Sequence, residues 1–427
     1  MNPIVALDPR VDGMAVSATL AARSRSGELA AAGATVFRLG LGQSPFPVPA
    51  PVVVALRAAA AEKDYLAPGG LPELREQVAE FHRRRHGLAF AADDVVIGPG
   101  SKHLMYLLQL CWSGDVLVPT PSWASNLPQG RLAGRRVVRL PPGGARELLT
   151  TPEAVAAACA ADPVRPRLLL FNSPSNPTGL VYEERELAAL AQVCRDHGIV
   201  VLSDEIYADL GFALPHRSIA SHYPEGTIVM SGLSKWCGAG GWRLGTMAFP
   251  ATLRSLRHAV EAVASETCSS TAAPIQRAAI AAFRGTDEVE AYLADVRRIL
   301  AGMMFWAFTE LSAIGLEVPE PRAAFYLFPS LAPLRDALAR RDIVTDVDLV
   351  RWLRIETGIV ALPGRAFGMP PEALRVRLAL VDFDGARALV AADQEPISAR
   401  FVARHLTPVH NAIARLTAWC TIQRGRG

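Results

Sequence analysis

Lysine is nearly absent from this chain of 427 residues: of 44 basic residues only Lys63, Lys102 and Lys235 are lysines. An arginine stays charged and cannot serve as a neutral nucleophile, whereas a lysine amine can deprotonate and form an imine with an aldehyde. Amine chemistry is thereby excluded at all but three basic positions. Long apolar runs are also lacking. No stretch reaches the ~20 residues that span a bilayer, and the start, MNPIVALDPRVDG, has no basic segment followed by an apolar one. The expectation is a cytoplasmic protein with no membrane partner. Charge of one sign is missing too: the net charge is +3, and no Lys/Arg run is interleaved with aromatics, which argues against nucleic acid as a partner. The six cysteines (Cys111, Cys159, Cys194, Cys237, Cys268, Cys420) form no CxxC pair, so neither a zinc site nor a disulfide framework is expected, only free thiols.

What is present is an ordinary globular composition, 50% hydrophobic and 20% charged, enough for one large domain and a smaller one. From about residue 93, short β-branched runs alternate with amphipathic stretches, the pattern of a mostly parallel sheet between helices. Seven strands are predicted: Val95 to Ile97, Val116 to Val118, Val137 to Leu140, Leu168 to Phe171, Ile199 to Ser203, Ile228 to Ser231 and Met247 to Phe249. Between two of them, Leu187, Leu190, Ala191 and Cys194 recur at helical spacing within Glu183 to His197, and Gly198 stops the helix. Beyond about residue 290 a long helical pattern precedes strands at Phe325 to Phe328, Ile359 to Leu362 and Val376 to Leu380. The fold class read from this is α/β, a large domain (46–290) with a seven-stranded, mostly parallel sheet, plus a smaller α+β domain (291–427). Residues 1–45 are expected to pack with the smaller domain, and 388–427 carry no decisive pattern.

The chemistry gathers around one lysine. Ser231-Gly232-Leu233-Ser234-Lys235-Trp236-Cys237-Gly238-Ala239-Gly240-Gly241-Trp242-Arg243-Leu244-Gly245 follows a strand and is rich in small residues, so its backbone can approach a ligand closely. It is not a dinucleotide loop, because Arg243 stands where GxGxxG needs its third glycine. The small, apolar, small, Lys pattern, with Arg eight residues on and Gly two beyond, resembles the class I/II aminotransferases of the fold-type I pyridoxal 5'-phosphate (PLP) enzymes, the aspartate aminotransferase superfamily. The resemblance implies that Lys235 forms the internal aldimine with PLP and that Arg243 and Ser234 hold the cofactor phosphate, with Ser231 a weaker candidate.

Other strand ends carry matching segments in the family's order. Val201-Leu202-Ser203-Asp204-Glu205-Ile206-Tyr207 ends a strand with a carboxylate, and PLP needs one beside its pyridine nitrogen to remain an electron sink. By resemblance that residue is Asp204, while Tyr207 bonds the phenolic oxygen. Asn172 to Gly179 resembles the family's NPTG segment and makes Asn176 a donor to the same oxygen and a neighbour of the substrate. Gly98-Pro99-Gly100-Ser101-Lys102-His103 joins a strand to a helix, where free amides can take a phosphate. Gly100, Ser101 and Lys102 match the phosphate cradle, and Trp123 the ring that stacks on the pyridine. Arg377, inside an apolar strand, needs a carboxylate partner; the family uses it to clamp the substrate's α-carboxylate, while Arg375 alternates to the other face. Gly42 matches a glycine near that carboxylate. Tyr65 matches a tyrosine that reaches the neighbouring subunit's phosphate, which implies a homodimer with shared active sites. Arg322-Ala323-Ala324 departs from relatives that often carry glycine there, and is expected to narrow the substrate pocket.

The function so implied is transfer of an amino group from an amino acid to a 2-oxo acid through pyridoxamine phosphate. Lyases, decarboxylases, oxidases and synthases of this fold share the same residues and stay open as alternatives. A PLP-sensing transcription regulator is disfavoured, because the fold begins by about residue 37 and leaves no space for a DNA-binding domain before it. The substrate's identity is not readable.

Overall fold

A computed structural model describes residues 6–143 and 148–425. Seven strands form the main sheet: β2 (Val95–Gly98), β3 (Asp115–Pro119), β4 (Val137–Leu140), β5 (Arg167–Asn172), β6 (Val200–Asp204), β7 (Thr227–Gly232) and β8 (Gly245–Ala248), after a short β1 (Phe37–Arg38). The order is β2-β8-β7-β6-β5-β3-β4, and only β8 runs antiparallel to its neighbours. All seven predicted strands are present, with boundaries shifted by at most two residues. Their apolar runs follow from burial on both faces. Leu117, Leu169, Phe171 and Val201 pack on one side of the sheet, while Val116, Val118, Leu168, Leu170 and Leu202 pack on the other. The predicted crossover helix spans Glu184–Asp196, opened by a capping box between Glu183 and Glu186.

The parallel strands all end on one edge, which sets Asn172 beside Asp204 and Asp204 beside Met230, two residues before the end of β7 at Gly232. Ligands of open α/β sheets bind at that edge.

The remaining strands are β9 (Tyr326–Leu327), β10 (Ile359–Val360), β11 (Leu362–Pro363) and β12 (Val376–Ala379). The continuous strand expected at Ile359 to Leu362 is in fact two. β10 pairs in parallel with β1, whereas β11 pairs antiparallel with β12, and the change of partner breaks the ladder at Ala361. The β1–β10 pair ties the N-terminal segment to the C-terminal part of the chain, and helix α1 (Ala18–Ala31) lies against β1 and β11. The patternless end of the chain is helical at Gly385–Ala392, Ala399–His405 and Thr407–Gly425. All six cysteines are free thiols, four of them buried.

Candidate active site

The strand ends open into a cavity of about 450 Å³. Ser101, Lys102, Trp123, Asn176, Asp204, Tyr207, Ser234, Lys235, Arg243, Arg377 and Gly42 all line it. Residues from widely separated stretches of sequence therefore converge on one space. Five cations face one carboxylate there: Arg23, Lys102, Lys235, Arg243 and Arg377 against Asp204.

Lys235 lies three residues past β7 and its Nζ donates to the Gly42 carbonyl at 2.6 Å, 5.6 Å from the centre of the Tyr207 ring. Burial and the Arg377 charge lower its pKa to about 8, opposed by Asp204. Asp204 ends β6 with no cationic hydrogen-bond partner among the described residues. Burial pushes its carboxyl up to about 7, against the Ile206 amide and the Lys235 charge. Glu205, next in sequence, is equally buried yet shifts the other way: the cost of burial is outweighed by His216 at 2.8 Å, with Ser203 and Ser218 also donating to it. Two adjacent carboxyls are thus pushed apart, and the one facing the cavity lacks a cationic hydrogen-bond partner among the described residues.

The Tyr207 hydroxyl meets that of Tyr326 at 2.7 Å. Asn176 accepts from Arg377 Nη1 at 3.2 Å through Oδ1, which leaves its amide N–H groups free to donate to a ligand. Its backbone N–H donates to Asn172 Oδ1, and Asn172 Nδ2 donates to the Asp204 carbonyl, both at 2.8 Å, lacing the ends of β5 and β6 together.

Arg377 is 1% exposed, donates to Asn176 and to the Gly40 carbonyl, and lies over the rings of Tyr326 and Phe367 at 4.8 and 5.0 Å. The carboxylate it was expected to have is not supplied by the protein among the described residues, and its Nε has no partner. A buried guanidinium left in this state is costly, and a ligand carboxylate would offset the cost. Arg375, on the other face, approaches Glu317 and the Phe328 carbonyl.

The helix Ser101–Cys111 starts at the cavity behind Gly100, whose φ of +94° suits only glycine. A Cβ there would also collide with the Arg243 guanidinium. Arg243 itself is held in the left-handed region at φ +56°, a conformation that costs a non-glycine residue on the order of 1–3 kcal/mol and that clusters at ligand clamps. The Ser101 and Ser234 hydroxyls have no protein partner among the described residues. Lys102 places its ammonium 5.4 Å from the centre of the Trp123 ring, and burial lowers its pKa, with help from Arg243.

Two expectations fail. Ser231 is buried within β7 and does not line the cavity. Ala323 and Ala324 do not narrow it either, being buried and absent from its lining; Ala324 takes φ +61°, so the absent glycine costs backbone strain rather than pocket space. Tyr65 stands apart from this cavity, 90% exposed. The residues that reading by sequence missed are Tyr326, Asn172 and, from α1, Thr19, Leu20 and Arg23. Asn172 had a signal, as the first residue of the Asn172 to Gly179 turn; the others had none beyond strand or helix pattern.

PLP fits these residues by their chemistry. An anionic phosphate has free amides, two unpartnered hydroxyls and Arg243, a pyridinium N–H has the carboxyl of Asp204, which meets no cation by a hydrogen bond among the described residues, and an aldehyde has an amine of lowered pKa.

Comparison with known proteins agrees. The family model for aminotransferase class I and II matches residues 34–392. The aspartate aminotransferase of Geobacillus stearothermophilus is 35% identical over 374 residues, 85% of this chain and 92% of that protein. The aspartate/prephenate aminotransferase of Cereibacter sphaeroides is 32% identical over 380 residues, 86% and 92% of the two chains. Among solved structures, aspartate aminotransferase from Thermus thermophilus with maleate superposes with a TM-score of 0.83 at 28% identity, covering 97% of this chain and 100% of that one. Motif, sheet topology and relatives converge, and the chain belongs to the class I and II aminotransferases, PLP-dependent enzymes of fold type I that transfer an amino group from an amino acid to a 2-oxo acid.

Proposed function

We propose that this aminotransferase works through the residues gathered at the strand ends and that its amino donor is an acidic amino acid. When bound, PLP supplies an electron sink for the pair left on the substrate's α-carbon. The chain's residues do the rest. Lys235 would hold the cofactor, and its amine would carry the proton between the substrate's α-carbon and the former aldehyde carbon of the cofactor. Asp204 keeps the pyridine nitrogen protonated. Asn176 and Tyr207 donate toward the phenolic oxygen, and Trp123 lies against the ring. Arg243, Ser101, Ser234 and the amides behind Gly100 hold the phosphate. Arg377 orients the α-carboxylate, and the Gly42 carbonyl steadies Lys235 beside it.

The acidic donor rests on one observation. Once Lys235, Arg243 and Arg377 are given these roles, Lys102 remains in the cavity wall as a partly buried cation with no carboxylate partner among the described residues. Relatives named for aspartate support the same reading. Single-turnover mixing of the holoenzyme with a panel of amino acids tests it: aspartate or glutamate should form pyridoxamine phosphate with stoichiometric oxo acid faster than neutral analogues. Release of ammonia or carbon dioxide, or uptake of oxygen, would count against the assignment. In Lys102→Met the Michaelis constant for the acidic donor should rise ~5 to 30 fold, equivalent to ~1 to 2 kcal/mol for a partly exposed contact. A change within twofold would remove Lys102 from the site.

A homodimer with shared sites belongs to the same proposal, as does a cytoplasmic location. Tyr65 supports the first, since it matches a cofactor-binding position yet lies outside its own chain's cavity. Among the described residues no helix is long and apolar enough to cross a membrane. A mixed dimer of Lys235→Ala and Tyr65→Phe chains should contain one site with both defects and one with neither, giving about half the wild-type activity. Activity no higher than that of either parent would reject sharing.

A further inference from the structure

We infer that Arg23, on α1, is a second specificity residue that holds the anionic side-chain group of the substrate. The inference rests on the acidic-donor reading above and adds to it a residue of α1 that lines the same cavity.

Thr19, Leu20 and Arg23 are the residues of α1 that line the cavity, and the i, i+4 spacing of Thr19 and Arg23 puts those two on one face of the helix. Arg23 has no ion-pair or hydrogen-bond partner among the described residues, unlike Arg25 on the same helix, which pairs with Glu28 at 3.1 Å. Here the charge is left facing a cavity that already holds Lys102, Lys235, Arg243 and Arg377. Like charges gathered around the single carboxylate of Asp204 are unfavourable until an anion enters, and an anionic group on the substrate side chain would relieve the part carried by Lys102 and Arg23.

The position of Arg23 is built in rather than incidental. Its neighbour Ala22 lies so close to Gly40 that a Cβ on Gly40 would stand 2.8 Å from the Ala22 Cβ. Gly40 therefore sets how near α1 can approach, and the same residue's carbonyl accepts from Arg377. One short segment thus anchors the α-carboxylate clamp and spaces the helix that carries Arg23. The two ends of a dicarboxylic substrate are gauged against a common reference.

The test uses two inhibitors of equal chain length that differ in one carboxylate, succinate and butyrate, titrated into the holoenzyme by calorimetry. Arg23→Gln should weaken succinate about five to tenfold, the scale of a partly exposed ion pair, while butyrate changes less than twofold. Arg23→Lys should recover most of the loss, and Arg25→Gln should change neither affinity. If Arg23→Gln weakens both ligands equally, the residue only supports α1 and the inference falls. If wild type prefers succinate and Arg23→Gln keeps that preference, Arg23 alone is excluded and the acidic-donor reading stands. Equal wild-type affinity for succinate and butyrate would overturn both.

Discussion

In Lys235→Ala, borohydride reduction of the PLP-loaded protein should leave no pyridoxyl label on the chain, and turnover should fall by ~10³ fold or more. The loss combines a covalent anchor with a proton carrier, and a positioned acid or base alone contributes ~10² to 10⁴ fold. The chain has only two other lysines. Lys63 is exposed and paired with Asp64 at 2.8 Å, and Lys102 sits over Trp123. Peptide mapping of the reduced wild-type protein decides among them, and a label on Lys63 or Lys102 would end the assignment. The lysine's depressed pKa adds a direction. With its value lowered to about 8, a far larger share of the amine is neutral near pH 7 than in an ordinary lysine. Cofactor uptake by apoprotein should therefore rise with pH through about 8 and then level off.

Arg377→Leu should lower kcat/KM for amino acids by about 10² to 10³ fold, the usual consequence of removing one partner of a buried charge pair. Its effect on stability should be small. In the protein alone this guanidinium has two oxygen acceptors and no carboxylate, so a leucine in its place relieves desolvation while it leaves the Asn176 Oδ1 and the Gly40 carbonyl unpaired. A structural ion pair would behave in the opposite way, with a large loss of melting temperature. The half-reaction with an amine that lacks the carboxylate supplies the control: the variant should match wild type there within a few fold. A drop of the same size for amine and amino acid would show that Arg377 shapes the cavity rather than clamping a carboxylate. Arg377→Lys should recover part of the rate, since an ammonium restores the charge but not the two-pronged geometry.

Much of this site is legible in the order of the residues. Ser234, Lys235 and Arg243 lie within one short loop, as do Asp204 and Tyr207, and Asn176 sits in a turn whose residues specify its own geometry. Each group follows a strand whose apolar run announces it, so local sequence is enough to locate the chemistry. Tyr326 is not legible in this way. Within Phe325-Tyr326-Leu327-Phe328, alternation assigns it a face of a strand but not the neighbour that face meets, and its hydroxyl bond to Tyr207 joins residues 119 apart. The C-terminal helix Thr407–Gly425 is obscured for a different reason: Gln423 is buried while Ile422 is 52% exposed, which blurs the contrast a periodicity needs.

By itself, then, the sequence determined the doubly covered sheet, the lysine that can bear the cofactor and the family, because strand burial and backbone turns are properties of contiguous residues. Tertiary structure decided what the contiguous pattern cannot express. It left Arg377 without a protein carboxylate, turned Lys102 toward Trp123 instead of solvent, and brought Arg23 from a helix without a distinctive pattern to the cavity. The physical reason is the same in each case: whether a charge is paired depends on which distant segments pack around it, and the energy of an unpaired one is set by that burial rather than by its neighbours in the chain.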